Sequence, residues 1–289
     1  MPMNYFAEKI VRFFLVMFAL GCAAPAAARS PEPTLEIMTF NVRLPLTQDG
    51  PNAWEHRRDL AAQMIAAERP DIVATQELFK VQGDYLLARL PGYAWFGLDR
   101  KGGHGDEHMG IFYRRDRLRL LELGNFWLSD TPRIPGSITW GHPYPRMVTW
   151  GLFQTSAGRR FYVANTHFPY REQDGEARRK GAAQILAWIG TLPPEVPVVL
   201  AGDFNTEPGS EPHALLTTQL GDAWLGAAER AGPEATFHAF TGKGARRIDW
   251  ILARGLRAQR IRTLTINRRG LYPSDHHPVI ADLKWVSGR

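Results

Sequence analysis

The sequence predicts an α/β domain in which strands dominate. Three observations carry this prediction. Apolar runs of strand length recur along the chain, a few intervening segments space apolar residues as a helix does, and no break in composition marks a second domain. Hydrophobic residues make up 44% of the 289-residue chain and charged residues 22%, which excludes a disordered protein. Nine Trp and 15 Phe supply material for a large core. No repeat with a period of about 20–50 residues is present.

The first residues read as an export segment. Lys9 and Arg12 precede an apolar run over residues 13–20, and small residues follow through Ala28. Ala26-x-Ala28 fits cleavage before Arg29. Cys22, the single cysteine, also fits lipid attachment to an outer-membrane lipoprotein, which is the lesser alternative. The run is shorter than the roughly 20 residues of a membrane span, so no transmembrane helix is expected in the mature chain. The expected organisation is a signal peptide over 1–28, a linker over 29–34 and one domain over 35–289, in the periplasm or outside the cell.

Within the domain, residues 35–42 read as a first strand. Trp54–Glu68 reads as a helix through Leu60, Met64 and Ala67, stopped by Arg69-Pro70. Residues 72–77 form a buried strand and 85–90 a short helix closed by Pro91-Gly92. Residues 99–108 form a Gly-rich loop and 110–113 a strand. The Pro-containing stretch 125–146 is expected to be irregular. Residues 148–153 and 161–167 suggest a hairpin around Ser156-Ala157-Gly158, and 176–189 a helix. Strands then follow over 196–201, 248–252 and 279–283.

Polar residues recur at the strand ends: Asn41, Glu77, Asn165 with His167, Asp203 with Asn205, and Asp275 with His276. Asp249 lies within a late apolar strand, where an unpartnered acid is costly. Asp203 and Asn205 are two apart, so on an extended chain their side chains point the same way. Each residue alone also fits a turn, a cap or a structural histidine, but their recurrence at one kind of position fits a site assembled at a sheet edge. The formal charge of +6 comes mainly from Arg clusters such as Arg57-Arg58 and Arg246-Arg247. Any one cluster reads as solvated surface, while their sum favours an anionic substrate.

The segments Thr39-Phe40-Asn41-Val42, Gln76-Glu77, Asn165-Thr166-His167-Phe168, Gly202-Asp203-Phe204-Asn205, Arg247-Ile248-Asp249 and Ser274-Asp275-His276 together resemble, in type and order, the endonuclease/exonuclease/phosphatase superfamily. Thr166-His167-Phe168 is nearer its sphingomyelinase and deadenylase/nocturnin members than its repair nucleases. The resemblance implies a four-layer α/β/β/α sandwich of two mixed sheets with outer helices, and a phosphoesterase dependent on Mg²⁺, for which Mn²⁺ or another divalent ion can substitute. It implies Glu77 as principal metal ligand, with Asn41 and Asp275 nearby. It implies Asp203, Asn205, His167, His276 and Asp249 as the residues of catalysis. Arg146, Asn165, Glu107 and His108 are expected at the substrate. The expected partner is a phosphate ester, nucleic acid among the options, acted on by a monomer. A binding module that kept the fold without its activity is the competing reading, and none of the central positions is lost.

Overall fold

The computed structural model describes residues 34–286, so the expected export segment and Cys22 lie outside the described residues. The elements in chain order are β1 (Leu35–Asn41), α1 (Trp54–Glu68), β2 (Ile72–Gln76), α2 (Lys80–Arg89), β3 (Tyr93–Phe96), β4 (Ile111–Arg114), β5 (Leu118–Trp127), β6 (Met147–Thr155) and β7 (Arg160–His167). There follow α3 (Gly175–Gly190), β8 (Val198–Asp203), α4 (Glu211–Leu216), β9 (Gly221–Asp222), α5 (Ala223–Gly226), β10 (Glu229–Ala231), β11 (Asp249–Arg254), β12 (Leu256–Thr263) and β13 (Val279–Trp285).

The strands form two mixed sheets, ordered β10-β12-β13-β1-β2-β4-β3 and β5-β6-β7-β8-β11-β9. Side-chain alternation sorts each central strand between two layers. On β1, Leu35 and Ile37 enter the core between the sheets, while Met38 and Phe40 pack with Trp54, Ala61 and Ile65 of α1. On β8, Val199 and Ala201 face the same inter-sheet core, and Val198 and Leu200 meet Ile185 and Ile189 of α3. The result is the expected helix–sheet–sheet–helix sandwich.

Several local expectations change. The stretch 125–146 is irregular only from residue 128, because β5 runs through Trp127 and pairs with β6 along its length. The helix expected over 85–90 begins at Lys80, where Gln82 Oε1 accepts a hydrogen bond from the Phe79 N–H at 3.0 Å and satisfies the open first turn. Asp249 is the first residue of its strand rather than an interior one. Arg57, expected at the surface with Arg58, is fully buried in α1. Its guanidinium donates to the carbonyls of Asn52, Arg43 and Pro273 at 2.9, 2.7 and 2.9 Å. These bonds tie the loop after β1 to the loop before β13, and burial pulls the Arg57 pKa down to about 10.

Gly202 of β8 shows how closely the site strands are fitted. A Cβ there would lie 2.2 Å from the Thr166 carbonyl oxygen of β7, and its φ of +158° lies at the edge of what other residues adopt. Neither backbone can yield without shifting a paired strand. Gly202→Ala is therefore expected to cost about 1–3 kcal/mol of stability, read as a lower denaturation midpoint; an unchanged midpoint would refute this account of the fit.

Candidate active site

The inter-sheet face turns from apolar to polar at one end of the sandwich. Along β8 it reads Val199, Ala201, Asp203; along β7, Val163, Asn165, His167; along β2, Ile72, Ala74, Gln76. Register then aligns the polar ends. His167 pairs with Asp203, and Asp203 pairs with Asp249, so three adjacent strands place these residues in one row. Asn41 ends β1 on the opposite sheet and pairs with Gln76.

Asp203 is the meeting point. Its Oδ2 accepts from Asn41 Nδ2 at 3.0 Å and lies 3.5 Å from His167 Nε2 and 3.8 Å from His276 Nε2. Its Oδ1 accepts from the Asn205 N–H at 2.9 Å. Burial, reinforced by the charge of Asp249, raises the Asp203 pKa to about 7. That places the carboxyl near neutrality, where a proton acceptor combines the right charge state with useful basicity.

The two histidines are driven to opposite states. His276 Nδ1 lies 2.9 Å from Asp249 Oδ2. Burial opposes its charge, but Asp249, then Asp203 and Asp275, outweigh that penalty and raise its pKa to about 10. His167 Nδ1 has no hydrogen-bond partner among the described residues; burial and the charge of Arg146 hold its pKa well below its ordinary range. One imidazole is thus a cation at neutral pH and the other is neutral, each with its Nε2 toward the same carboxylate.

These groups open onto a cleft of about 490 Å³ whose lining includes Glu77, Glu107, Arg146, His167, Asp203, Asn205, Asp275 and His276. Arg43, Glu77 and Asn205 hold it in left-handed backbone conformations, with φ of 56°, 58° and 50°. Such conformations are unfavourable for non-glycine residues and concentrate at functional sites. Arg146 stands immediately before β6, is 4% exposed and leaves Nη1 without a hydrogen-bond partner among the described residues. The loop 99–108 is wound on Asp99, whose carboxylate accepts from the N–H groups of Lys101, Gly103, Gly105 and Asp106. It presents Arg100, which meets Glu107 Oε1 at 2.8 Å.

The donor set fits a hard divalent cation. Burial raises Glu107 to about 7 and raises Asp275 as well, and the charge of Glu77 adds to both shifts. Carboxylates that repel one another in a shared cleft gain from an intervening cation, and oxygen donors suit Mg²⁺. Asp203, Asp249 and His276 also bring ligand atoms within 4.8 Å of one another. A cation there would compete with the Asp249–His276 hydrogen bond, so Glu77 and Asp275 are the better pair.

Two expected substrate contacts are corrected. Asn165 is fully buried between the sheets, accepting from Gln76 Nε2 at 2.7 Å and donating to the carbonyls of Thr75 and Gly110 at 2.7 and 2.9 Å. Its amide is used up in joining the sheets. His108 is likewise fully buried, with Nδ1 near the Leu78 and Asp106 carbonyls and Nε2 at 2.9 Å from His104. Asn205 reaches the cleft by a left-handed turn, not by the extended chain expected, and its Nδ2 donates to the Phe168 carbonyl at 3.0 Å. Asn41, expected near a metal held by Glu77, turns its nitrogen to that residue: Nδ2 bridges Glu77 Oε1 at 3.1 Å and Asp203, while its oxygen accepts from the Arg43 N–H. Arg43, Arg100, Tyr144, Tyr170 and Arg246 line the cleft without having been singled out. Only the Gly-rich loop around Arg100 and the Arg246-Arg247 cluster gave any prior signal.

The chain matches the model of the Endonuclease/Exonuclease/phosphatase family over residues 38–276. Among solved structures it is similar to an endonuclease/exonuclease/phosphatase from Bacteroides vulgatus, at 32% identity and a TM-score of 0.83, covering 88% of this chain and 100% of that one. It is also similar to a mannosyl-6-phosphatase from Bacteroides thetaiotaomicron, at 30% identity and a TM-score of 0.81, covering 87% and 100%. Nocturnin from Drosophila melanogaster is 24% identical over 216 residues, 67% of this chain and 32% of that protein. The chain spans 60% or less of the length of the first curated relatives it matches.

The Asp249–His276 pair makes a direct prediction. Because Asp249 favours the protonated imidazole, that form persists through neutral pH and is lost as pH rises toward about 10. Asp249→Asn is expected to drop the His276 pKa toward its ordinary 6.5, as followed by NMR titration of the ring protons. A wild-type His276 that titrates near that ordinary value would contradict the assigned pair.

Proposed function

Because the chain belongs to the endonuclease/exonuclease/phosphatase family, whose members are phosphoric ester hydrolases, we propose that it is an exported, Mg²⁺-dependent phosphoesterase. It hydrolyses a phosphodiester or phosphomonoester by in-line attack of water. The observation that carries this reading is the convergence of two histidines on one buried carboxylate, on the wall of a cleft lined by arginines and acids. Export rests on the charged and apolar character of residues 9–28, with cleavage after Ala28 or lipidation at Cys22.

Asp203 accepts the proton of the attacking water, with Asn41 and the Asn205 N–H fixing the carboxylate. Protonated His276, held by Asp249, donates from Nε2 toward a phosphate oxygen and stabilises the charge that develops there. Neutral His167 offers a hydrogen bond from the neighbouring strand, and Asn205 lines the same wall. Arg146, with Nη1 unengaged, supplies positive charge for the phosphate. Glu77 and Asp275, with Asn41 adjoining, would hold the divalent ion. When bound, that ion neutralises phosphate charge and eases departure of the leaving oxygen.

The similarity to a mannosyl-6-phosphatase supports a phosphate-ester substrate. The test is hydrolysis of bis(p-nitrophenyl) phosphate and p-nitrophenyl phosphate by the purified protein. Mg²⁺ is expected to support turnover of at least one ester, and EDTA to abolish it. Asp203→Ala is expected to lower kcat by about a thousandfold or more, with an unchanged circular dichroism spectrum. Turnover of neither ester with any divalent ion would favour a binding module, and normal turnover by the variant would remove Asp203 from its role.

A further inference from the structure

A second cleft, of about 470 Å³, adjoins the first and shares Tyr170, Asn205 and Arg246 with it. Nothing in the chemistry above uses it. Its volume falls in the range of small-molecule sites, and it begins where the phosphate site ends, because Asn205 stands on the wall of both. Whatever alcohol the phosphate esterifies has this space beside it.

The lining describes that alcohol. Beyond Arg246 the cleft presents Glu172, Glu207, Thr206 and Ser210. Ser210 Oγ is buried and has no hydrogen-bond partner among the described residues. Arg178 also lines the cleft, but its guanidinium is spent on the carbonyls of Pro169, Arg171 and Glu172, at 2.8, 2.7 and 3.2 Å. The space therefore meets two carboxylates, which only accept, and the hydroxyls of Thr206 and Ser210, which accept or donate, a set that suits a ligand rich in hydroxyl groups. At the junction Tyr170, 53% exposed, stacks on Tyr144 with ring centroids 6.4 Å apart and leaves an aromatic surface in the solvent.

We propose that this second cleft binds the uncharged, hydroxyl-rich alcohol of a phosphomonoester, a sugar phosphate, while the first cleft holds the phosphate. Sugar hydroxyls donate to Glu172 and Glu207, and the apolar face of the sugar ring lies on Tyr170. A polynucleotide would instead need cations along its path to meet each successive phosphate. The space adjoining the phosphate site presents two carboxylates instead, Glu172 and Glu207. This inference rests on the phosphoesterase reading above and narrows it.

The experiment compares mannose 6-phosphate, glucose 6-phosphate, p-nitrophenyl phosphate and a 5′-phosphorylated oligonucleotide with the purified protein in Mg²⁺. At least one hexose phosphate is expected to exceed both other substrates in kcat/KM by tenfold or more, with the gain mainly in KM. The double variant Glu172→Gln/Glu207→Gln, changed at exposed positions, is expected to lower the ratio of hexose-phosphate to p-nitrophenyl-phosphate kcat/KM by tenfold or more. Turnover without preference for either hexose phosphate, preference for the oligonucleotide, or an unchanged ratio in the variant each overturns the sugar assignment while leaving the phosphoesterase reading intact. Failure to hydrolyse any of the esters overturns the phosphoesterase reading, and this inference with it.

Discussion

The burial of one carboxylate constrains the rest of the molecule. Asp203 is 1% exposed, and an unpartnered charge at such a place would be strongly disfavoured. Its partners arrive from both sheets: Asn41 from β1, His167 from β7, and His276 from the loop before β13. The two sheets must therefore pack at one separation and one register for the carboxylate to be tolerated. Asn165 enforces that separation a few ångströms deeper, tying β7 to Gln76 and to the carbonyls of Thr75 and Gly110. The Asn41–Asp203 and Asn165–Gln76 contacts make the polar end of the sandwich a joint between the sheets as well as a site.

Charge is distributed so that neither sign prevails. Arg43 engages Asp49 at 2.9 Å and lies 3.8 Å from Asp275, Arg100 holds Glu107, and Arg146 is left with spare hydrogen-bonding capacity. Burial, with the charge of Glu77 added, raises the pKa values of Glu107 and Asp275, so the cleft favours a cation and an anion arriving together. A metal-bound phosphate meets that description better than either partner alone.

Much of this was legible in the chain. The helix Trp54–Glu68 shows both its spacing and its stop, since Arg69 takes a left-handed conformation before Pro70. The central strands announce themselves because both of their faces are buried. Strand β12 escaped notice because it reads Leu-Arg-Ala-Gln-Arg-Ile-Arg-Thr, with arginines on its wetter face, and β5 because Glu122 and Gly124 interrupt its apolar pattern. The candidate site positions were visible as polar residues ending apolar runs. What no local pattern distinguishes is a polar residue turned into the cleft from one spent on the backbone of the opposite sheet. Asp203 and Asn165 look alike in sequence; only the second finds two open carbonyls across the interface. Arg57 was obscured for the same reason, because the carbonyls it serves come from separate loops.

The loop wound around Asp99 carries a consequence for recognition. Four backbone N–H groups converge on one carboxylate, and the Trp127 indole N–H donates to the Arg100 carbonyl at 2.7 Å. A segment so cross-linked has little freedom left to surrender when a ligand arrives. Although rich in glycine, it behaves as masonry rather than as a hinge. The shape of this wall is therefore set at folding, before any ligand arrives.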